Sequence, residues 1–167
     1  YSEAVHYYKM SIEKGDAMAM NNLGCYYYNI EHNYSEAIHY YKMAVEKGDS
    51  DAMNNLGYCY HNIKNDNIQA VYYYKMAVEK GNTIAMNNLA SYYCCFEHNY
   101  VQAIFYYVIA IQNNNFDKLT ELLELIQNNV HSYEIYYEIL KQIVLNESNH
   151  VHYDKIVCQN FNFIRWK

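Results

Sequence analysis

Cysteine, histidine and the carboxylates are the residues with which this chain could do chemistry, and their spacing decides of what kind. The densest cluster is Cys94-Cys95 with His98. Two thiolates and an imidazole could hold zinc, but a closed zinc site takes four ligands and adjacent cysteines chelate poorly. A pair of small thiols is expected there, with no metal and no cofactor. With Cys25, Cys59 and Cys158 the cysteines number 5, an odd set without CxxC pairing. That suits reduced thiols in an intracellular, cytoplasmic setting better than a disulfide framework.

The histidines offer little more. Glu31-His32-Asn33 and Glu97-His98-Asn99 are the same short turn written twice, so loop solvation is favoured over a titrating or ligand-binding role. His6 and His39 fall in register with Tyr72 and Phe105, a position that accepts any planar ring and is expected to be packed. No glycine-rich phosphate loop, nucleophile elbow or HExxH is present, so no catalytic residue is assigned and an enzyme is not expected.

Bulk properties narrow the field. The chain has 167 residues, 52% of them apolar, and no proline, enough for one continuous core and unlike a disordered composition. A formal charge of −6 with Arg165 as the single arginine argues against nucleic acid, whose backbone is bound by clustered Lys and Arg. Asn, Glu, Lys or His interrupts every apolar run before the roughly 18 to 20 residues that a membrane span needs, so no membrane is expected.

The elements that would have to position any site are set by an internal repeat. Ala4, Ala37, Ala70 and Ala103 lie 33 residues apart, as do Gly15, Gly48 and Gly81. Met20-Asn21-Asn22-Leu23-Gly24 returns as Met53-Asn54-Asn55-Leu56-Gly57 and as Met86-Asn87-Asn88-Leu89-Ala90, followed by Tyr27, Tyr60 and Tyr93. Within one unit, Ala52, Met53, Leu56, Gly57 and Tyr60 form one helical stripe, and Ala37, Tyr40, Tyr41, Ala44 and Val45 form a second. Each repeat is therefore two amphipathic helices, and the fold class is all-α: an α/α superhelical solenoid of antiparallel hairpins.

Junction residues agree with that division. In Glu46-Lys47-Gly48-Asp49 the glycine can take a left-handed C-cap and Asp49 can cap the next helix, and Glu79-Lys80-Gly81-Asn82 repeats the device. Asn33-Tyr34-Ser35-Glu36 and Asn99-Tyr100-Val101-Gln102 have the form of capping boxes. Gly24 and Gly57, with Leu23, Leu56 and Leu89 beside them, mark close helix crossings, and Tyr27, Tyr60 and Tyr93 are sized to fill the wider gaps. Most other tyrosines, including Tyr7, Tyr8, Tyr40, Tyr41, Tyr73 and Tyr74, fall on core stripes. Glu13-Lys14, Glu46-Lys47 and Glu79-Lys80 make ladders of both signs, as on a solvated face.

Ala52-Met53-Asn54-Asn55-Leu56-Gly57-Tyr58-Cys59-Tyr60, with Ala70 through Gly81, resembles the Sel1-like repeats of the tetratricopeptide superfamily over roughly residues 1 to 115. The loop His61-Asn62-Ile63-Lys64-Asn65-Asp66-Asn67 departs from it, being shorter than usual and without glycine. Heavy use of Asn, Tyr and Ile is similar to repeat proteins of giant viruses of amoebae, which would place the chain in host cytoplasm. The expected units are 1–15, the second helix of a truncated repeat, then 16–48, 49–81 and 82–115. Residues 116–167 are expected to form a degenerate repeat and C-terminal cap, with Leu119, Leu122, Leu123 and Ile126 on one helix and Tyr136, Ile139, Leu140, Ile143 and Val144 on another. Further repeats are expected ahead of Tyr1.

The resemblance implies a protein partner held on the inner face that first helices present. Asn22, Asn55 and Asn88, next to the core leucines, are expected to bond backbone between repeats. Asn21, Asn54 and Asn87 point about 100° away on a helical wheel, where an amide could bond a partner's backbone. With them, Tyr28, Asp51, Tyr58, His61 and Asn62 complete the candidate partner-binding set, among neighbours Met18, Cys25, Asn29, Ile84, Ser91, Cys94 and Cys95. The function expected is an adaptor or scaffold that binds a peptide or helix of another protein; the alternative is self-association or docking in a larger particle through the end of the stack.

Overall fold

The computed structural model describes residues 2–113 together with Glu121, Leu122, Glu124 and Leu125. Over these residues the regular structure is helical: α1 (Ser2–Glu13), α2 (Ala17–Asn29), α3 (Tyr34–Glu46), α4 (Ser50–Asn62), α5 (Asn67–Glu79), α6 (Thr83–Cys95) and α7 (Tyr100–Gln112). Each helix packs on the next in sequence, and the hairpins α2/α3, α4/α5 and α6/α7 repeat one another. The chain is an all-α repeat solenoid. Of the expected C-terminal cap, Leu122 is fully buried; Leu119, Leu123, Ile126, Tyr136, Ile139, Leu140, Ile143 and Val144 lie outside the described residues.

The helix boundaries follow from the capping residues. Asp49 Oδ1 accepts from the Ala52 N–H at 2.7 Å and Asn82 Oδ1 from the Ala85 N–H at 2.9 Å, satisfying donors that a first turn leaves orphaned. Gly48 and Gly81 stand at φ +85° and +80°, and the Asp49 N–H then reaches the Ala44 carbonyl at 3.1 Å, a Schellman closure that only a left-handed residue permits.

The second junction differs from the capping-box expectation. Asn33 and Asn99 do accept from the Glu36 and Gln102 N–H groups, at 3.3 and 3.2 Å. Their own N–H groups, however, bond the Tyr27 and Tyr93 carbonyls at 2.9 and 2.8 Å, as Asp66 bonds Tyr60. Backbone occupies the donor that a capping-box Glu or Gln would take. What turns the chain back is a left-handed residue, supplied without glycine by His32, Asn65 and His98, each at φ 52°. Asn and His are among the residues that tolerate this region best.

Small and large residues alternate at the crossings. A Cβ added to Gly57 would stand 2.8 Å from the Tyr74 ring, and one on Gly24 would stand 2.6 Å from that of Tyr41. Tyr41 and Tyr74 are thus buried against glycine while Leu23, Leu56 and Leu89 fill the centre. Tyr27 stacks on Tyr40, Tyr60 on Tyr73 and Tyr93 on Tyr106, with centroids 5.5, 5.4 and 5.7 Å apart, so tyrosine pairs close each hairpin. Tyr7, expected in the core, is exposed. The ring column of His6, His39, Tyr72 and Phe105 is likewise exposed rather than packed. Each of these rings meets only the edge of the tyrosine that follows it, at 5.2 to 5.8 Å, which explains why any ring is accepted.

Candidate partner-binding face

First helices of successive repeats lie side by side, and their contact is made by asparagines. Asn55 of α4 donates from Nδ2 to Asn21 Oδ1 of α2 at 3.0 Å, and Asn88 of α6 donates to Asn54 Oδ1 of α4 at 2.9 Å. Asn54 Nδ2 in turn reaches Asn55 Oδ1 at 3.4 Å, so the rungs are joined within α4. Asn21, Asn54 and Asn87 are only 8%, 7% and 7% exposed. The expectation that these amides face an open groove is therefore corrected for Asn21 and Asn87, which are covered; the oxygens of Asn21 and Asn54 accept from the next repeat, and Asn54 also lines the cleft described next. The other column, Asn55 and Asn88, does bridge repeats, but through side-chain amides rather than backbone.

In front of this ladder lies a cleft of about 380 Å³. Cys25, Tyr28 and Asn29 of α2 form one wall, Ile84 and Asn88 of α6 the other, and Asn54, Asn55, Tyr58 and Cys59 of α4 run between them, with Tyr41 of α3 at the back. The Tyr41 hydroxyl donates to Cys25 Sγ at 3.5 Å, and Asn55 Nδ2 approaches the same sulfur at 3.6 Å. Tyr28 meets Tyr58 edge to face at 6.0 Å and Tyr34 at 5.2 Å. Tyr58 remains 44% exposed, so an aromatic ring stands at the mouth. No residue lining this cleft carries a formal charge at neutral pH.

Burial governs the titration of these groups. Tyr28 is pushed up to about 12, first by desolvation and then by Tyr58, Cys59 and Tyr34. Cys59 is also pushed up to about 12, by desolvation and then by Cys25, and burial raises Tyr41 further still. Thiol and phenols are thus held in their neutral forms. A thiolate nucleophile would need the opposite shift.

The Sel1 repeat matches residues 1–16, 17–49, 50–82 and 83–115. The chain belongs to the Sel1 repeat family. Sel1 repeats generally serve protein–protein interaction, as non-enzymatic scaffolds. Among solved structures, the chain is similar to a Sel1 repeat protein from Oxalobacter formigenes, with 25% identity and a TM-score of 0.69 over 84% of this chain and 61% of that one. It is also similar to a protective antigen of uropathogenic Escherichia coli strains displaying an SLR fold, again with 25% identity and a TM-score of 0.69, over 99% of this chain and 36% of that one. The chain therefore spans less than two thirds of either relative. No curated protein matches it.

Of the residues expected on the inner face of the Sel1 stack, Tyr28, Asn54 and Tyr58 come together in the cleft. Asp51 is exposed one step along and accepts from Asn82 Nδ2 at 2.7 Å. Asn62 is exposed, its Nδ2 donating to the Tyr58 carbonyl at 3.1 Å. His61 does not enter the cleft: its ring stands edge-on to Phe96 at 4.8 Å, and Nδ1 lies 2.8 Å from Asn67 Oδ1. Asn21 belongs to the seam between repeats, and Asn87 is buried. Cys59 and Tyr41 are lining residues that helical periodicity assigned to the core or left aside; the recurrence of a tyrosine at 41, 74 and 107 opposite Cys25, Tyr58 and Ser91 was the available signal.

Among the described residues no group of three or more His, Cys, Asp or Glu is placed to hold a metal ion. Cys94 is half-buried and Cys95 exposed, and the free cysteines there are Cys25, Cys59, Cys94 and Cys95. Nor is any described helix long and apolar enough to cross a membrane.

Proposed function

We propose that this chain is an adaptor that holds an extended segment of a partner protein across the concave face made by α2, α4 and α6. The observation that carries the reading is the cleft itself, an uncharged, aromatic-walled depression shared by three successive repeats. A rigid floor favours binding because little ordering is left to be done when the partner arrives. Here the floor is fixed by the asparagine ladder and by Tyr41 buried against Gly24. The partner-facing groups are then Tyr28, Asn29, Tyr58, Asn62 and Ile84, with Asp51 beside them. An intracellular location, in host cytoplasm if the source is viral, fits reduced thiols and belongs to the same reading.

The test compares capture of partners from native-cell extract by the wild-type chain, by Tyr58→Ala and by Tyr72→Ala on the opposite, second-helix side. Loss with Tyr58→Ala alone, at unchanged helicity, supports the adaptor. Equal capture by all three sinks the cleft.

A further inference from the structure

We infer that the cleft between α2, α4 and α6 takes a proline-rich segment in the polyproline II conformation, with prolines three residues apart. This names the kind of partner and rests on the adaptor reading above. The first reason is spacing. Asn55 of α4 reaches Asn21 of α2 at 3.0 Å, and Asn88 of α6 reaches Asn54 of α4 at 2.9 Å. Neighbouring first helices are thus in side-chain contact, with axes about 8–10 Å apart. A polyproline II helix rises about 3.1 Å per residue and turns every three, so residues i and i+3 present the same face about 9 Å apart. A segment laid across the three helices therefore repeats its contacts in step with them. In a β-strand, residues three apart point to opposite faces.

The walls suit the same ligand. Tyr28 and Tyr58 meet edge to face at 6.0 Å at the junction of α2 and α4, and Ile84 stands on α6 with 55% of its surface exposed. Aromatic-lined grooves hold proline rings in this way; one proline packs on the tyrosines and the one three residues on reaches Ile84. The polar groups agree. Asn29, Asn54 and Asn88 each direct one N–H to a protein oxygen and keep a second. Tyr28, pushed up to about 12, keeps its O–H across the physiological range. The oxygens of Asn54 and Asn55, by contrast, already accept. Such a lining can donate to carbonyls but has little left to receive N–H groups. Polyproline II leaves its carbonyls open, and proline brings no N–H to be buried unsatisfied. No lining residue is charged, which fits an uncharged segment. The chain contains no proline, so a second copy of it is not the occupant.

The test uses immobilised sets of short uncharged peptides, randomised except at two fixed positions: prolines three residues apart, prolines four apart, or leucines three apart. They are probed with the full chain, with Tyr58→Ala and with Tyr72→Ala on the second-helix side, both substitutions lying at exposed positions and checked by helicity. The expected result is capture of the three-apart proline set roughly fivefold above either other set, lost in Tyr58→Ala and kept in Tyr72→Ala. Equal or stronger capture of the leucine set, or equal capture of the two proline spacings, lost in Tyr58→Ala, overturns the polyproline assignment and leaves the adaptor face standing. Capture that survives Tyr58→Ala overturns both. No capture of any set overturns the polyproline assignment alone, the adaptor face being judged by capture from extract.

Discussion

Asn55 donates its side-chain amide to Asn21 of the preceding repeat at 3.0 Å, and this one bond ties the register of neighbouring hairpins to a pair of residues that look interchangeable in the sequence. Removing the donor leaves a covered amide oxygen without its partner, a loss of about 1–3 kcal/mol. Asn55→Ala is therefore expected to lower the urea midpoint at unchanged slope. A double-mutant cycle with Asn21→Ala isolates the rung; additive losses would show that the bond carries no coupling.

Gly57→Ala tests the crossing. The new methyl carbon would lie 2.8 Å from the Tyr74 ring and 3.2 Å from the Ala70 carbonyl oxygen, so a buried ring or the backbone must shift. A loss of about 1–3 kcal/mol is expected from such overpacking. Calorimetry of the single variant, and of Gly57→Ala combined with Tyr74→Leu, reads it. Failure of the smaller side chain to recover any of the loss would place the cost elsewhere.

How much of this was legible in the sequence depends on what each residue answers to. Asp49 and Gly48 answer to local backbone geometry, so their caps could be read from residue type and spacing. Gly57 and Tyr60 answer to a contact that every repeat makes in the same way, and recurrence revealed it. Asn54 and Asn55 answer to the next repeat. Two residues 100° apart on a wheel both reach the seam because the side chains bend toward each other's helix, and no periodicity within one helix contains that information. His39, Tyr72 and Phe105 show the opposite error, since tolerance of any ring reflected exposure and not packing. The left-handed turns were hidden because His32 and His98 replace the glycine that would have marked them.

Those turns carry a measurable consequence. A histidine held at φ 52° gives up backbone energy that glycine would not. His98→Gly is expected to leave stability unchanged or raise it by up to about 1 kcal/mol, the relief being offset by the extra freedom of glycine in the unfolded chain. Gly48→Ala, at φ +85° in open space, is expected to cost about 1 kcal/mol from backbone conformation alone. Thermal midpoints of the two variants moving in the same direction would contradict this.

The buried thiol and phenols set the response to alkali. Cys59 is raised from 9.0 to about 12 and Tyr28 from 10.0 to about 12, so the unfolded chain loses these protons before the folded one does. Stability from this source is whole below pH 9, declines as pH passes the unfolded values, and is spent by about pH 12. The melting temperature should accordingly be flat in these groups from pH 6 to 8 and fall above pH 9. In Cys59→Ala the fall should start nearer pH 10, where tyrosine begins to ionise in the unfolded chain. An identical pH profile for both proteins would remove Cys59 from the explanation.

The adaptor reading itself is tested most directly by placing a photo-activated benzoylphenylalanine at Tyr58 in one full-length chain and at Tyr72 in another, then irradiating each in the native cell. A partner held across α2, α4 and α6 should crosslink from position 58 and leave position 72 unlabelled. Adducts formed only from position 72 would put the partner on the second helices and contradict the account.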